Sequence, residues 1–249
     1  MNVLKFDIVI IGSGAGGGVM AEELSALCKQ GLKVALLEWG GDFKEEDNNR
    51  QEVDMAGKYY FDYGGVQNVQ QDMTFAFAKA VGGSTTVYTG TSLTAPERIF
   101  KKWGIPGLNL ADMQPRYQKY INDNNVHIIP RDELNDNNLL FEQACKKLNY
   151  KVEQFPVNVK GCIGLGTCNI GCAVLAKQGT HRVQIPKAMS RGVELIQHCE
   201  VKKIDDHDLV CEISKDQTSN RNKKYKKGSY RIQADKIVLS AGVMNSPAL

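Results

Sequence analysis

Apolar residues near the start of the chain fall into short runs separated by glycines. Residues 7–11 are rich in β-branched side chains and predict a strand, which a glycine-dense turn follows at residues 12–18. Apolar positions then recur at helical spacing up to Cys28, and Gly31 is placed to end that helix. The next apolar run, Val34–Leu37, predicts a second strand. Because a crossover that contains a helix joins parallel strands, the first 40 residues predict a βαβ unit.

Weaker patterns continue along the chain. Apolar residues at helical spacing predict helices at residues 110–121, 137–148 and 185–189. Alternating or β-branched runs predict strands at residues 193–204, 208–214, 230–233 and 236–240, the second and third as a hairpin and the last as a buried strand. Residues 42–72 are polar, acidic and aromatic, which is typical of a surface excursion. The final residues begin a helix that the sequence does not complete.

Composition places the chain among ordinary globular proteins. Of its 249 residues, 42% are hydrophobic and 24% are charged, which excludes disordered, collagenous and coiled-coil classes. Its longest apolar runs fall far short of the roughly 20 residues that cross a bilayer, so we expect no transmembrane segment. No signal-peptide pattern fits the first residues. We therefore expect a cytoplasmic protein, with export alongside a partner subunit left open.

The small positive charge comes from one loop. Lys and Arg total 31 against 28 Asp and Glu, a net charge of +3, yet residues 215–231 alone hold seven bases and one acid. The remaining chain is therefore about −3 and lacks the extended basic face of a duplex binder. We expect no nucleic-acid partner, and interpret Lys223, Lys224, Lys226 and Lys227 as part of a solvated hairpin.

The glycine turn carries a dinucleotide fingerprint. It matches G-x-G-x-x-G directly after a predicted strand and at the opening of a helix, with the residues Gly12, Ser13, Gly14, Ala15 and Gly17. The glycines allow a tight turn and a close approach of backbone to a pyrophosphate, while the helix N-terminus offers N–H donors to the anion. Glu38 follows at the end of the second strand, where a carboxylate accepts hydrogen bonds from ribose hydroxyls. Its charge would repel a 2′-phosphate, which disfavours NADP.

Three of the seven cysteines are clustered. Cys162, Cys168 and Cys172 form C-x5-C-x3-C in a glycine-rich segment. Three thiolates without a nearby fourth suit an iron–sulfur cluster better than tetrahedral zinc. His181 is an alternative fourth zinc ligand, although we interpret it as a surface or cofactor-side residue. The other interpretation is structural: buried thiols, or a disulfide plus one thiol.

Further motifs follow the fingerprint in a fixed order. They are Leu-Glu-x-Gly at residues 37–40, Val-Gly-Gly-Ser at 81–84, Trp-Gly at 103–104, a strand that carries Val201, and Ser-Ala-Gly-Val-Met-Asn-Ser-Pro at 240–247. In order and spacing, this arrangement resembles the glucose-methanol-choline (GMC) oxidoreductase family over most of the chain. The cysteine spacing is similar to that of the family's sugar dehydrogenases, which hold a three-iron (3Fe–4S) cluster there. Long-chain alcohol oxidoreductases of the family also carry cysteines before a similar stretch.

The resemblance implies an α/β fold: a Rossmann-like FAD-binding fold with a parallel sheet and a small β-meander. It implies one FAD-binding domain over residues 1–249, with residues 42–80 and 100–180 as excursions toward the substrate side and a C-terminal substrate domain absent. The implied FAD-binding residues are Gly12, Ser13, Gly14, Ala15, Gly17, Glu38, Gly82, Gly83, Ser84, Val201, Ala241 and Gly242. Many members carry Asn where this chain has Tyr88, and no histidine near Val87 offers a covalent flavin link. We therefore expect noncovalent FAD.

The resemblance also implies the chemistry. We expect oxidation of the CH–OH group of a small-molecule alcohol or sugar by hydride transfer to flavin, with quinone, a haem protein or oxygen as electron acceptor, reached through the cluster if there is one. One rival is a cluster-free alcohol or sterol oxidase that uses oxygen. Another is a truncated, noncatalytic FAD-binding fragment. The family's histidine base lies in the C-terminal domain, so we name no catalytic residue here and expect this chain alone not to turn over.

Overall fold

A computed structural model describes residues 2–249. The strands are β1 (Asn2–Ile11), β2 (Val34–Leu37), β3 (Val66–Gln67), β4 (Thr74–Phe75), β5 (Val126–His127), β6 (Val157–Asn158), β7 (Glu194–Ile196), β8 (Cys199–Asp205), β9 (Asp208–Ile213), β10 (Gln217–Thr218), β11 (Lys224–Tyr225) and β12 (Gly228–Leu239). The α-helices are α1 (Ala15–Leu24), α2 (Glu52–Tyr59), α3 (Glu97–Trp103), α4 (Leu110–Asp123), α5 (Asp136–Lys147), α6 (Gln184–Ser190) and α7 (Gly242–Asn245). None of the helices in the described range is long and apolar enough to cross a membrane.

The chain forms two compact units. The first comprises the residues up to Tyr88 together with Thr167–Leu175 and Gly179–Leu249. The second comprises Thr89–Gly166 and Ala176–Gln178. The first unit holds the main sheet and the glycine motifs. The second holds α3, α4 and α5 with the short β5–β6 pair.

The main sheet has six strands in the order β7-β2-β1-β12-β9-β8. The pairs β7–β2, β2–β1 and β1–β12 are parallel, whereas β12–β9 and β9–β8 are antiparallel. The first four strands are the parallel sheet of a doubly wound fold, and the last three form a meander at its edge. This confirms the predicted α/β class, the βαβ unit and the β-meander.

Both faces of β1 are buried, as expected for a parallel sheet covered on two sides. Ile8 and Ile10 pack on one face against α1 and α6, where Ala21 and Ile185 are also buried. On the other face, Val9 belongs to a cluster with residues of the meander. Because side chains alternate along a strand, this one apolar run supplies both halves of the core.

The first helix ends where the glycine predicts. After α1 the chain continues as a 3₁₀ turn, Ser25–Gln30, and Gly31 caps it in the left-handed region at φ 91°. Glycine adopts this conformation without a Cβ penalty. The predicted helical stretch is therefore one α-helix followed by a tighter turn.

Four predicted elements differ from the structure. The strand expected at residues 193–204 is two strands, β7 and β8, because His198 has φ 53° and breaks the extended backbone. The strands expected at 230–233 and 236–240 are one strand, β12, whose C-terminal end is not buried: Leu239 is 42% exposed. Within the supposed surface excursion, α2 buries Met55 in a small core of its own.

The basic loop is a hairpin, as predicted, but it is not wholly solvated. Strands β10 and β11 pair within it, and Lys223 donates a 2.6 Å hydrogen bond to the buried carboxylate of Glu194 on β7. Tyr225 and Ser219 donate to the other oxygen of Glu194 at 2.6 and 3.1 Å. This cluster ties the loop to the edge of the parallel sheet.

In the second unit, the two longer helices begin at asparagine caps. The side chain of Asn109 accepts from the backbone N–H of Asp112 at the start of α4, and that of Asn135 accepts from Asn138 at the start of α5. Such caps satisfy a backbone donor that the first turn leaves open. Both helices were predicted, with boundaries within a few residues.

Candidate cofactor site

A cavity of about 510 Å³ opens in the first unit, where β1, β2 and β12 end. Its walls come from the glycine turn after β1, the end of β2 and the segment that follows β12. Ligands of open α/β sheets bind outside the carboxyl ends of the parallel strands, and the volume lies in the usual range for a small-molecule site. The fold therefore places a cavity of this size where the fingerprint predicts a cofactor site.

Two glycines of the turn after β1 stand where no side chain fits. Gly12 has φ 90°, and a Cβ atom there would lie 2.4 Å from the carbonyl oxygen of Ser240. A Cβ on Gly17 would lie 1.8 Å from the carbonyl oxygen of Gly12. The first clash shows how closely the turn passes the end of β12, and the second shows how tightly α1 folds back on the turn.

The N-terminus of α1 borders the cavity. Gly14 is its N-cap residue, and no side chain among the described residues caps this end. The first turn also carries no acidic residue. The helix itself therefore brings no carboxylate to the backbone N–H groups and the positive dipole end that an anion would approach here.

Glu38 closes the end of β2 and is buried at 6% exposure. Its Oε2 accepts from the backbone N–H of Ser13 at 3.0 Å and from the Ser13 hydroxyl at 2.6 Å. Its Oε1 accepts from the backbone N–H of Gly40 at 2.8 Å. Burial raises the pKa of Glu38 above its ordinary value, and the hydrogen bonds from Ser13 and Gly40 oppose that rise.

The second glycine motif packs against the first. The backbone N–H of Gly82 donates to the Ser13 hydroxyl at 2.8 Å, and a Cβ on Gly83 would lie 2.7 Å from the Cα of Gly14. Gly82 and Gly83 both have positive φ, 98° and 51°. The two turns thus form one cradle whose backbone is exposed to a ligand, a form that suits the diphosphate of a dinucleotide.

The structure brings most of the predicted cofactor residues to one cavity. The predicted residues that line it are Gly12, Ser13, Gly14, Ala15, Glu38, Gly83, Ser84, Val201, Ala241 and Gly242. Gly17 and Gly82 lie behind this wall, where they hold the turns together. The binding role of each residue stays a prediction.

Several lining residues were missed by the sequence reasoning. Trp39, Phe77 and Lys79 also line the cavity, and the Lys79 ammonium lies 4.2 Å from the centroid of the Trp39 ring. Trp39 directly follows Glu38, while Phe77 and Lys79 alternate in the stretch before the second glycine turn. That alternation was the available signal, since residues i and i+2 of an extended segment share a face.

The three clustered cysteines do not all belong to one compact unit. Cys162 is exposed and belongs to the second unit, whereas Cys168 and Cys172 belong to the first and are half-buried. Across residues 2–249, no three His, Cys, Asp or Glu side chains gather in a way that would hold a metal ion. The donor set in the structure does not fit a cluster, so the iron–sulfur site stays a prediction from spacing alone.

No histidine within the described residues lines the cofactor cavity. His127 and His207 donate through Nδ1–H to the backbone carbonyls of Asn125 and Ala234, respectively. His198 lies at the break between β7 and β8.

Comparison with known proteins gives the class. The GMC oxidoreductase family matches residues 6–249, and the chain belongs to that family. It is 32% identical over 209 residues to an uncharacterised GMC-type oxidoreductase of Mycobacterium tuberculosis, covering 82% of this chain and 33% of that protein. It is 26% identical over 263 residues to a long-chain-alcohol oxidase of Arabidopsis thaliana, covering 99% of this chain and 34% of that protein. The chain thus spans about a third of the length of these relatives.

Solved structures agree on the fold. Pyridoxine 4-oxidase from Mesorbium loti superimposes with a TM-score of 0.62 at 18% identity, covering 97% of this chain and 50% of that one. An FAD-dependent oxidoreductase from Chaetomium thermophilum superimposes with a TM-score of 0.68 at 14% identity, covering 98% of this chain and 46% of that one. Family membership and fold together make this chain an FAD-binding GMC oxidoreductase domain.

Proposed function

We propose that this chain is the cofactor-holding part of an enzyme that oxidises the CH–OH group of a small-molecule alcohol. The observation that carries the proposal is the paired glycine cradle beside a buried Glu38. FAD, when bound, supplies the acceptor for the hydride from the alcohol carbon. The chain's own residues bind and orient that group.

Each part of the cradle has a binding task. The N–H groups at the start of α1 and the backbone of Gly83 meet the negative diphosphate. Glu38 offers the carboxylate that ribose hydroxyls need, and its negative charge selects against a 2′-phosphate. No histidine of the described range lines this cavity, and we name no base for the proton of the substrate hydroxyl.

The names of relatives support an alcohol over a sugar as substrate. Besides the Arabidopsis long-chain-alcohol oxidase, a cholesterol oxidase from Acinetobacter baumannii matches 40% of this chain at 34% identity. Both names denote oxidation of an apolar molecule's hydroxyl. We propose an apolar alcohol as the substrate class.

The same names support oxygen as the electron acceptor, in line with the cluster-free alternative. The rival is transfer through an iron–sulfur cluster at Cys162, Cys168 and Cys172 to a quinone or haem protein. Iron analysis of the purified protein separates the two.

The experiment that tests the cofactor proposal is a titration of the apoprotein with FAD, NADH and NADPH, followed by flavin or nicotinamide fluorescence. We expect FAD to bind and NADPH not to bind. Glu38→Ala should weaken FAD at least tenfold, while Glu153→Ala, which removes an exposed carboxylate of the second unit, should leave it unchanged. Binding of NADH without flavin would overturn the proposal.

A further inference from the structure

A second cavity of about 500 Å³ lies in the first unit, next to the cofactor cavity. It shares Trp39 and Lys79 with the cofactor cavity, but its other walls are its own. They come from the loop after β2, from α2 and the turn behind it, and from the break between β7 and β8. The proposed function uses none of these walls.

One side of this second cavity is aromatic. The Trp39 and Phe61 rings lie 5.0 Å apart between centroids, and Tyr63 lies close to the backbone of α2, where a Cβ on Gly57 would come 2.8 Å from its ring. Phe61 also stacks on Phe77, with 5.3 Å between the ring centroids. Tyr63 is 67% exposed, and an exposed ring of this kind binds planar rings by stacking.

Basic side chains line the same cavity, and the Lys79 ammonium lies over the Trp39 ring, 4.2 Å from its centroid. Burial, followed by the charges of Lys215 and Lys79, lowers the pKa of His198, which also lines the cavity. Lys58 also lines it, with its ammonium donating to the Asp47 carbonyl at 2.5 Å. Asp62 is the acidic residue among the lining side chains. The lining therefore carries three lysines against one carboxylate, with His198 held toward its neutral form.

The backbone at His198 is strained in a way that positions this residue. His198 has φ 53°, a conformation that non-glycine residues rarely adopt. Its N–H donates to the Gly40 carbonyl at 2.9 Å, and its carbonyl accepts from the Ser214 N–H at 3.0 Å. These bonds hold the imidazole over Gly41, where a Cβ would come within 2.8 Å of the ring. Because Gly41 has no side chain, the His198 ring fits against it at the cavity wall.

We infer that this second cavity is a binding site for a planar aromatic anion, distinct from the cofactor site, with the ring against the exposed Tyr63 and the anionic group toward Lys79 and Lys215. The combination of an exposed aromatic ring and neighbouring cations selects ligands that carry both features. A neutral ring gains only the stacking, and a small inorganic anion gains only the charge.

The test is a calorimetric titration with 2-naphthoate and with 2-naphthamide, which has the same ring system but no charge. We expect naphthoate to bind at least tenfold more tightly than the amide, a difference of about 1.4 kcal/mol. Naphthyl phosphate, titrated in parallel, shows whether carboxylate or phosphate is the better anion, and tighter binding of either supports the inference. Equal binding of acid and amide, or no binding of any of the three, overturns it.

A matched pair of variants assigns the site. Lys215→Glu should remove the preference for naphthoate, whereas Lys224→Glu changes the net charge equally, at an exposed position on β11 outside the cavity, and should retain it. Both variants should bind FAD as the parent does, because neither residue lines the cofactor cavity. Loss of the preference in both variants would mean a general charge effect and overturn the assignment.

Competition with the cofactor distinguishes the two cavities. Protein saturated with FAD should still bind naphthoate within about threefold of the apoprotein affinity. If FAD displaces naphthoate one for one, the second cavity is only an extension of the cofactor site and the inference fails. Failure of FAD binding with intact naphthoate binding would instead count against the proposed function alone.

Discussion

The Ser13 hydroxyl donates to the Glu38 carboxylate at 2.6 Å and accepts from the Gly82 backbone N–H at 2.8 Å. One buried side chain therefore joins the turn after β1, the end of β2 and the second glycine turn. All three parts line or support the cofactor cavity. The geometry of the cradle depends on this hydroxyl as much as on the glycines.

Ser13→Ala should destabilise the apoprotein by about 1–3 kcal/mol, because it leaves a buried carboxylate oxygen and a buried N–H with one partner fewer. FAD affinity should fall with it. Urea unfolding and FAD titration measure the two effects. Ser190→Ala removes a hydroxyl that bonds to the Lys187 carbonyl on an exposed helix end, and should change neither by much. Equal losses in the two variants would contradict the role given to Ser13.

The sequence allowed the βαβ unit to be predicted because β1, the glycine turn and β2 follow local rules of periodicity and turn chemistry. The role of Ser13 could not be predicted, since it occupies an unspecified position of the fingerprint and acts through Gly82, far away along the chain. The break between β7 and β8 at His198 could not be predicted for a similar reason. Apolar alternation runs through it, and the positive φ is imposed by its bonds to Gly40 and Ser214.

Side chains that reach a cavity from separate segments are equally difficult to predict. Trp39 and Lys79 meet through the packing of two loops, and neither belongs to a motif that spacing alone defines. The cysteine prediction shows the converse. A regular spacing in sequence does not place Cys162 in the same compact unit as Cys168 and Cys172.

Adjacent glycines of α1 offer a contrast in packing. A Cβ at Gly17 would meet the Gly12 carbonyl oxygen at 1.8 Å, whereas a Cβ at Gly16 would lie 3.8 Å from the Ser240 hydroxyl, an ordinary contact. Gly17→Ala should therefore cost about 3 kcal/mol or more, since backbone must move. Gly16→Ala should be neutral or stabilise the apoprotein by up to about 1 kcal/mol through helix propensity. Chemical unfolding of both variants gives the comparison, and similar stabilities would show that the turn is not packed as described.

The buried Glu38 predicts a pH dependence of apoprotein stability. Its pKa is raised in the folded state from an ordinary 4.5, so the folded protein holds a proton that the unfolded chain has already lost. As pH rises from about 4.5 through the folded-state pKa, this group should lower the free energy of unfolding by up to about 1.4 kcal/mol per pH unit. Below about pH 4.5 both states are protonated and the contribution is constant.

The measurement is the free energy of unfolding of the parent and of Glu38→Gln from pH 4 to pH 8. The glutamine variant does not titrate, so the parent should lose stability relative to it as pH rises. A parent that gains stability relative to the variant over this range would show that Ser13 and Gly40 hold the carboxylate ionised, with its pKa lowered rather than raised.

The hydrogen bonds that hold the basic loop to Glu194 lead to a stability prediction outside the cofactor cavity. The Tyr225 hydroxyl donates to the buried Glu194 carboxylate at 2.6 Å, and burial followed by this interaction raises the pKa of Tyr225 above its ordinary value. Tyr225→Phe should cost about 1–3 kcal/mol, since Glu194 keeps only Ser219 and Lys223 as side-chain donors. Tyr63→Phe, at a largely exposed position, should stay within about 0.5 kcal/mol. FAD affinity should be unchanged in both, because neither tyrosine lines the cofactor cavity.

The iron content of the purified protein distinguishes oxygen as electron acceptor from transfer through an iron–sulfur cluster. If oxygen is the acceptor, anaerobically purified protein should contain no stoichiometric iron, and Cys168→Ser should leave the visible spectrum of the FAD-loaded protein unchanged. A cluster at Cys162, Cys168 and Cys172 would instead give about three irons per chain with broad absorbance beneath the flavin bands, and Cys168→Ser would lose iron while keeping FAD. Cys145→Ser changes a cysteine outside the trio on α5 and is the matched control. Iron that disappears in Cys168→Ser and persists in Cys145→Ser would overturn the proposal of oxygen and restore the cluster, because only ligand loss at the trio explains that difference.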